Sequence, residues 1–461
     1  MIVPTVHFLK EMRMRMRSWI VLVGLAVPVS ARAGITPDWA RRYMADYTTA
    51  IPSFSRQTGL ACNVCHIAFP QLTAFGRLFK LNGYTLTGLQ TVNTGAESPS
   101  LKINLIPPVS AMLVASMTQT SKAQAGAQNG NVEFPQELSL FLGEEITPRM
   151  GTFIQLTYEA AEGALALDNV DLRYADHAAV ASHDMIFGFT LNNNPTVQDV
   201  WNSTPAWGFP FSGSSVAPTP AAATLIDGGL GQQVAGLGAY AYWNNLLYGE
   251  VSAYRSAQQG GPHPPDGGSE AITKGFTPYW RLALSHTWGT SYLEVGTFGL
   301  SSKLYPAGVT GPTDRFTDVA LDAQYERRLG SGNLFAHATW INEKQTLDAS
   351  FGNGAATNAS NSLRTFRVDA TALTATRVGG SLGFFTTTGD ADALLYAGSA
   401  TGSPNSTGLV AEVQFMPWLN TRFAVQYVAY SKFDGAKTDY DGTGRNASDN
   451  NTLYLMTWLV F

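Results

Sequence analysis

The feature that most constrains this chain is a recurring pattern of about ten residues in which apolar and polar side chains alternate. The pattern begins near residue 107 and continues to Phe461; GTFIQLTYEA, SYLEVGTFGL and TRFAVQYVAYSKF are examples. Alternation with a period of two places successive side chains on opposite faces of a β-strand. Strands of this length cross a bilayer at a tilt, and no apolar block as long as a membrane-spanning helix follows residue 33. The pattern therefore predicts an all-β fold.

The connections between these segments favour one architecture. We count about sixteen candidate strands, whose connections mostly alternate between short and long. The short ones include TPR (147–149) and NN (244–245), whereas the long ones, such as 194–231, are rich in Gly, Pro, Ser, Asn and Asp. This predicts an antiparallel transmembrane β-barrel of about 16 strands over residues 101–461. A soluble secreted all-β protein is the alternative, because it would contain similar strands. The candidate strands are 107–120, 134–146, 150–160, 165–178, 184–193, 232–243, 246–257, 277–289, 291–304, 315–330, 332–345, 363–375, 378–389, 407–418, 420–433 and 451–461.

Residues 1–33 have the features of a secretory signal peptide. Three arginines between residues 13 and 17 precede an apolar run at 18–29, and Ala31-Arg32-Ala33 provides the small residues of a cleavage site. The run is too short for a spanning helix of about 20 residues. We therefore expect export, with the barrel in the bacterial outer membrane. The chain has 29 Lys+Arg against 34 Asp+Glu, a balance that argues against nucleic acid as a partner.

The chain contains only two cysteines, Cys62 and Cys65, and His66 follows them directly. C-x-x-C-H is the attachment pattern of c-type haem. Two thioether bonds hold the porphyrin, and the adjacent histidine supplies the proximal nitrogen to the iron. A thioredoxin-type site would require a βαβ neighbourhood, a zinc site would require further Cys or His ligands nearby, and a simple disulfide would not require His66. We therefore predict one covalent haem c, with His66 as its proximal ligand.

The segment that carries this motif is short. About 70 residues separate the expected mature start from the first strand, which is close to the lower limit for an independent core. Helical patterns occur at 37–48 and 70–84. We therefore predict a small, partly helical c-type cytochrome module at 34–100. Because a barrel of sixteen strands encloses a lumen, we expect the module to plug it.

The motif and its surroundings resemble a known family. FSRQTGLACNVCHIAFPQLTAFGRLFKLNGYTL (54–86), followed by a porin-like barrel, is similar to the fused monohaem cytochrome-porins of bacterial outer membranes, typified by the iron oxidases of iron-oxidising bacteria. The resemblance extends to LNNNPTVQDVWNSTPAWGFPF (191–211) at the start of the longest loop. It implies an Fe(II) oxidase of the iron:cytochrome c oxidoreductase type. Such a protein takes electrons from extracellular Fe(II) and passes them to a periplasmic c-type cytochrome or another redox carrier.

Two other functions fit the same residues. A cytochrome-porin could use a different donor or acceptor, because nothing in the sequence fixes the direction or potential of electron transfer. A diffusion porin could carry the haem as an accessory group, although a haem-bearing plug would block most solute flow. The loops contain no dense cluster of carboxylates, so the sequence does not predict an iron site.

Further residues are candidates for the haem environment. Arg56 and Arg77 could pair with the haem propionates, since a guanidinium matches carboxylate geometry; ordinary pairing with acidic residues of the barrel is the alternative. Met44 is a candidate for the distal iron ligand through its soft thioether. The other distal candidates are a water molecule and the side chains of Met112, Met117, His177 and His183.

Overall fold

The computed structural model describes residues 52–86, 109–124, 129–130, 132–160, 163–257, 271–375 and 377–461. The expected signal peptide, the helix expected at 37–48 and Met44 lie outside the described residues. No helix in the described ranges is long and apolar enough to cross a membrane.

Residues 52–86, here called the CxxCH segment, form a small and partly helical unit. Its helices are α1 (Ser53–Thr58), α2 (Cys62–Cys65) and α3 (Ala74–Leu81), and the hairpin of β1 (His66–Ala68) and β2 (Gln71–Leu72) lies between α2 and α3. Helix α3 lies within the range 70–84 that the sequence pattern predicts to be helical. Thr73 caps its first turn by accepting a hydrogen bond from the Gly76 amide, 3.0 Å away. Gly83 follows the helix with φ of 70°, a left-handed conformation that suits glycine.

Sixteen longer strands form a closed antiparallel barrel, which confirms the predicted antiparallel barrel of about 16 strands. Their ends agree with the candidate strands to within three residues, because alternation of apolar and polar residues recurs along them. The strands are β3 (Val109–Thr120), β4 (Val132–Thr147), β5 (Met150–Glu159), β6 (Ala164–Val180), β7 (His183–Asn192), β8 (Val234–Trp243), β9 (Leu247–Ser256), β11 (Thr277–Trp288), β12 (Ser291–Tyr305), β13 (Asp314–Leu329), β14 (Gly332–Thr346), β15 (Ser360–Leu373), β16 (Val378–Gly389), β17 (Ser406–Trp418), β18 (Thr421–Lys432) and β19 (Thr452–Val460).

Pairing between the first and last of these strands closes the barrel. Strand β19 pairs with β3 from Thr452↔Thr120 to Val460↔Met112. Every other strand pairs with its neighbours in chain order, and the two-residue strand β10 (Ile272–Thr273) adds to β12. The barrel therefore leaves no free edge in these strands.

The two faces of each strand differ in polarity. On β17, Leu409 and Val413 point outward and are 48% and 61% exposed, whereas Glu412, Gln414 and Met416 point inward and are buried. Exposed Leu, Val, Phe and Trp side chains recur on the outer face of the other strands. An apolar outer face around a polar interior is the arrangement of transmembrane barrels.

The connections differ between the two ends of the barrel. At one end, the short-turn end, they are 148–149, 181–182, 244–246, 289–290, 330–331, 374–377 and 419–420. At the other, the long-loop end, they include 193–233, 347–359, 390–405 and 433–451, with helix α4 (Asp348–Gly352) and the 3₁₀ turn Ala447–Asn450. Strand β3 begins and β19 ends at the short-turn end. By the rule for bacterial barrels, the short-turn end faces the periplasm.

The longest of these connections, residues 193–233, folds into the lumen; we call it the inner loop. It contains the 3₁₀ turn Pro205–Trp207 and a helical turn at Leu225–Gly229. Trp201 is almost fully buried, and its indole N–H donates to the Tyr292 hydroxyl at 2.6 Å. On the opposite wall, the amide of Gln426 donates to the Ser212 carbonyl at 3.0 Å. The loop therefore crosses the lumen from wall to wall.

Candidate functional site

The CxxCH segment lies inside the short-turn end of the barrel. The Tyr84 hydroxyl donates to Asp171 of β6 at 2.7 Å, and the Tyr240 hydroxyl of β8 donates to the Leu81 carbonyl at 2.6 Å. The guanidinium of Arg77 pairs with Glu326 of β13. Because these partners are on three different strands, the barrel wall holds the segment from several sides.

The inner loop covers the CxxCH segment from the long-loop side. The Lys80 ammonium group donates to the carbonyls of Val197 and Asp199 at 2.7 and 2.8 Å, and it lies 4.8 Å from the centre of the Trp207 ring. Burial, followed by the charge of Arg173, lowers the pKa of Lys80 to about 7. Two chain segments thus occupy the lumen, one above the other.

Both cysteines belong to one helical turn. Residues three apart in a helix lie on the same face, so α2 presents Cys62 and Cys65 together. They are not bonded to each other. Burial, followed by the proximity of Cys62, raises the pKa of the Cys65 thiol to about 11.

The residues after the motif fix the position of α2. The Thr73 amide donates to the Cys65 carbonyl at 2.9 Å. A Cβ built on Gly76 would lie 2.1 Å from the carbonyl oxygen of Cys65, so only glycine allows α3 to approach α2 this closely. The sequence FPQLTAFGR after the histidine therefore has a packing role: it presses one helix against the other.

A cavity of ≈ 140 Å³ adjoins the motif at the short-turn end of the barrel. One wall comes from the CxxCH segment and the other from the turns and ends of β15 to β18. The lining residues are Cys62, Asn63, His66, Ile67, Ala68, Phe69, Leu373, Arg377, Met416 and Leu419. Cys65 is not among them, although it shares the helical turn of Cys62.

His66 is half-buried between this cavity and the Phe69 ring, whose centre is 4.3 Å from the imidazole. Burial lowers the pKa of His66 to about 4, which keeps the ring neutral at neutral pH. Its Nδ1 is buried without a hydrogen-bond partner. A neutral imidazole is a good ligand for a transition metal.

The two arginines considered as propionate partners lie elsewhere. The Arg77 guanidinium, besides pairing with Glu326, is 4.2 Å from the centre of the Tyr292 ring. Arg56 donates to the Val109 carbonyl at 2.5 Å. Neither lines the cavity, whereas Arg377 of the β15–β16 turn does. Sequence patterns could not single out Arg377, because it comes close to the motif only when the barrel closes.

The other distal candidates are also distributed over the barrel. His177 contacts Asp184 at 3.1 Å and Asn82 at 2.6 Å. Met112 packs in an apolar cluster with Met456. The cavity lining contains none of the four candidates Met112, Met117, His177 and His183. Met416, which the sequence analysis did not consider, is the methionine in that lining.

The interior of the barrel is rich in carboxylates, which the sequence analysis did not anticipate. Of the charged side chains buried among the described residues, twelve are Asp or Glu and five are Lys or Arg. Arg281, for example, contacts Asp322 at 2.6 Å, Asp199 at 3.2 Å and Glu294 at 3.3 Å. These residues lie on four separate chain segments, so only the closed barrel brings them together. Such an interior attracts cations.

A second and much smaller cavity, of ≈ 20 Å³, lies between the inner loop and β14 and β15. His337 and Asp369 line it and are hydrogen-bonded at 2.9 Å, and the Nε2 atom of His337 is buried without a partner. Within the part of the chain that the structure describes, no three His, Cys, Asp or Glu side chains are grouped so as to hold a metal ion.

Comparisons with known proteins find similar barrels. No protein-family model and no curated protein sequence matches this chain. The outer-membrane channel DcaP of Acinetobacter baumannii has 13% sequence identity and a TM-score of 0.44; the match covers 77% of this chain and 96% of that one. OmpF of Salmonella typhi has 12% identity and a TM-score of 0.42, covering 77% and 97%. The anion-selective porin from Comamonas acidovorans has 11% identity and a TM-score of 0.43, covering 77% and 98%.

Proposed function

We propose that this protein is an outer-membrane electron-transfer cytochrome. In this proposal it oxidises extracellular Fe(II) and passes electrons through one covalent haem c to a periplasmic carrier. The observation that carries the proposal is the position of Cys62, Cys65 and His66. The motif lies inside a closed barrel with an apolar outer face, beside a cavity at the end that faces the periplasm.

The residues at the cavity fit a haem. Two free thiols lie on one helical turn, and the neutral imidazole of His66 lies next to the cavity that Cys62 also lines. Each thiol would add across one vinyl group of the porphyrin, giving two thioether bonds. Leu373 and Leu419 would exclude water from the ring, and the Arg377 guanidinium would pair with a propionate. A bound haem supplies an iron that accepts and releases one electron.

The acidic interior supports a cationic donor. Fe(II) gives one electron and becomes Fe(III), and the periplasmic carrier finally takes that electron. The excess of buried Asp and Glu over buried Lys and Arg would raise the local concentration of Fe(II) in the barrel. The CxxCH segment and the inner loop would keep the insoluble product from passing into the periplasm.

The proposal is tested by heterologous expression, followed by haem staining of isolated outer membranes. Fe(II) is then added anaerobically while the visible haem bands are recorded. We expect covalent haem in the wild type, none in Cys62→Ser/Cys65→Ser, and reduction of the haem by Fe(II). A haem that ignores Fe(II) but accepts electrons from a quinol or another donor would reject the iron oxidase and favour a cytochrome-porin with a different donor.

A diffusion porin with an accessory haem is the second candidate, because a barrel of sixteen strands is the architecture of porins. Single-channel conductance distinguishes the two. The CxxCH segment and the inner loop both occupy the lumen, so we expect conductance far below that of an open porin. Conductance at the level of an open porin would favour the second candidate.

A further inference from the structure

The barrel wall contributes one side chain with a soft donor atom, Met416, to the cavity beside His66. Met416 is on β17, points inward and is only 8% exposed. It packs with Ala68 and Leu373 in a small apolar cluster, against which Ile67 also packs. Met416 therefore belongs to the barrel but contacts the chain immediately after the haem motif.

The position of Met416 is well defined. Its backbone amide donates to the Arg377 carbonyl at 3.0 Å, which ties the end of β17 to the β15–β16 turn. On the same strand Glu412 and Gln414 also point inward, so strict alternation turns Met416 towards the lumen. A shift of one residue in the register would instead place Met416 on the apolar outer face.

The chemistry of the lining leaves few ligands for the second axial position of a haem. Cys62 is used for covalent attachment, and the Asn63 amide is a weak iron ligand. The other residues of the lining are aliphatic or aromatic, apart from the Arg377 cation. A methionine thioether is a common axial ligand of c-type haem and raises its reduction potential.

We propose that Met416 of the barrel wall is the distal ligand of the haem iron, opposite His66 of the CxxCH segment. This inference rests on the proposed function, since it requires the haem. Its structural consequence is that one iron atom links the N-terminal segment to strand β17. The cofactor then fastens the segment in the short-turn end, in addition to the hydrogen bonds with β6 and β8.

The test uses the full-length haem-bearing protein in detergent. Met416→Leu keeps the volume of the side chain and removes the sulfur, and Met456→Leu is the matched control on another inward-facing strand position. We expect Met416→Leu to lose the charge-transfer absorption band of methionine-ligated ferric haem. It should also bind carbon monoxide in the ferrous state and show a lower reduction potential. Met456→Leu should retain all three properties of the wild type.

Two further variants test whether the altered chain folds and whether Met44 is the ligand instead. Met416→His should convert the spectrum to that of a low-spin haem with two histidine ligands, which also shows that the altered chain folds. Met44→Leu tests the other methionine that the sequence suggested. An unchanged ligand spectrum in Met416→Leu, or loss of the band in Met44→Leu, overturns the inference and leaves the proposed function intact. A wild type without covalent haem overturns both.

Discussion

The packing of α3 against α2 gives the sharpest prediction about the haem motif, through Gly76→Ala. Gly76 is in a helix and has no left-handed φ, so helix propensity alone would make alanine more stable by about 1 kcal/mol. The new Cβ would, however, lie 2.1 Å from the Cys65 carbonyl oxygen, where a distance of at least 3.0 Å is needed. The two helices must therefore separate by about 0.9 Å.

That separation has a calculable cost. It lengthens the 2.9 Å hydrogen bond between the Thr73 amide and the Cys65 carbonyl well beyond the usual range. Loss of this bond costs about 0.5–1.5 kcal/mol, and overpacking typically costs about 1–3 kcal/mol. After the propensity gain is subtracted, the packing of α2 on α3 is weakened by about 0.5–3.5 kcal/mol, or about 2- to 300-fold.

The assay compares covalent haem per barrel and the rate at which a protease cleaves the CxxCH segment in detergent. Gly76→Ala should carry less haem and be cleaved faster than the wild type. Gly352→Ala is the matched control, because Gly352 is also helical but has no atom within 4 Å of its added Cβ. If Gly76→Ala has the haem content and protease resistance of the wild type, α3 does not position α2 as argued.

Three further predictions concern charged side chains near the motif. Arg77→Gln should weaken docking of the CxxCH segment by about 3–5 kcal/mol because it leaves Glu326 with an unpaired charge, and Arg77→Met/Glu326→Leu should recover most of the protease resistance. Redox titrations compare the reduction potential of the haem in Arg377→Gln, Arg77→Gln and Arg56→Gln. We expect the largest fall, on the order of 60 mV, for Arg377→Gln. An equal fall in all three variants would argue against Arg377 as the propionate partner. The pKa of Lys80 is about 7 in the docked segment, well below its ordinary 10.5, so docking should strengthen as pH rises from 7 towards 10.5. The rate of proteolysis of the CxxCH segment, normalised at each pH to a denatured control, should fall as pH rises in the wild type. In Lys80→Met it should not change with pH in this way.

The strands of the barrel could be predicted from the sequence because each depends mainly on local alternation. Strand β17, for example, alternates between buried and exposed residues from Gly408 to Met416. The CxxCH motif is likewise local, since Cys62, Cys65 and His66 are neighbours in the chain. Both the strands and the CxxCH motif can therefore be recognised in the sequence without knowledge of the closed fold.

The surroundings of the motif could not be predicted in the same way. Met416 and Arg377 are more than 300 residues from His66 in the chain, and they meet it only because β15 to β18 lie beside the CxxCH segment. The inner loop illustrates the same limit. The composition of residues 193–233 does not distinguish a loop at the external mouth from one that folds inward. Buried partners such as Asp318, which accepts from the Ile226 amide at 2.9 Å, draw the inner loop into the lumen.

Electron transfer across a membrane tests the central claim most directly. The purified protein is inserted into liposomes that contain oxidised cytochrome c, and Fe(II) is added outside under anaerobic conditions. We predict that the enclosed cytochrome c becomes reduced with the wild type, and that Cys62→Ser/Cys65→Ser barrels stay inactive. Reduction at the same rate with the cysteine-free barrel would contradict the account, because electrons or Fe(II) would then cross without the haem. Reduction of the haem with no reduction of the enclosed carrier would contradict it as well.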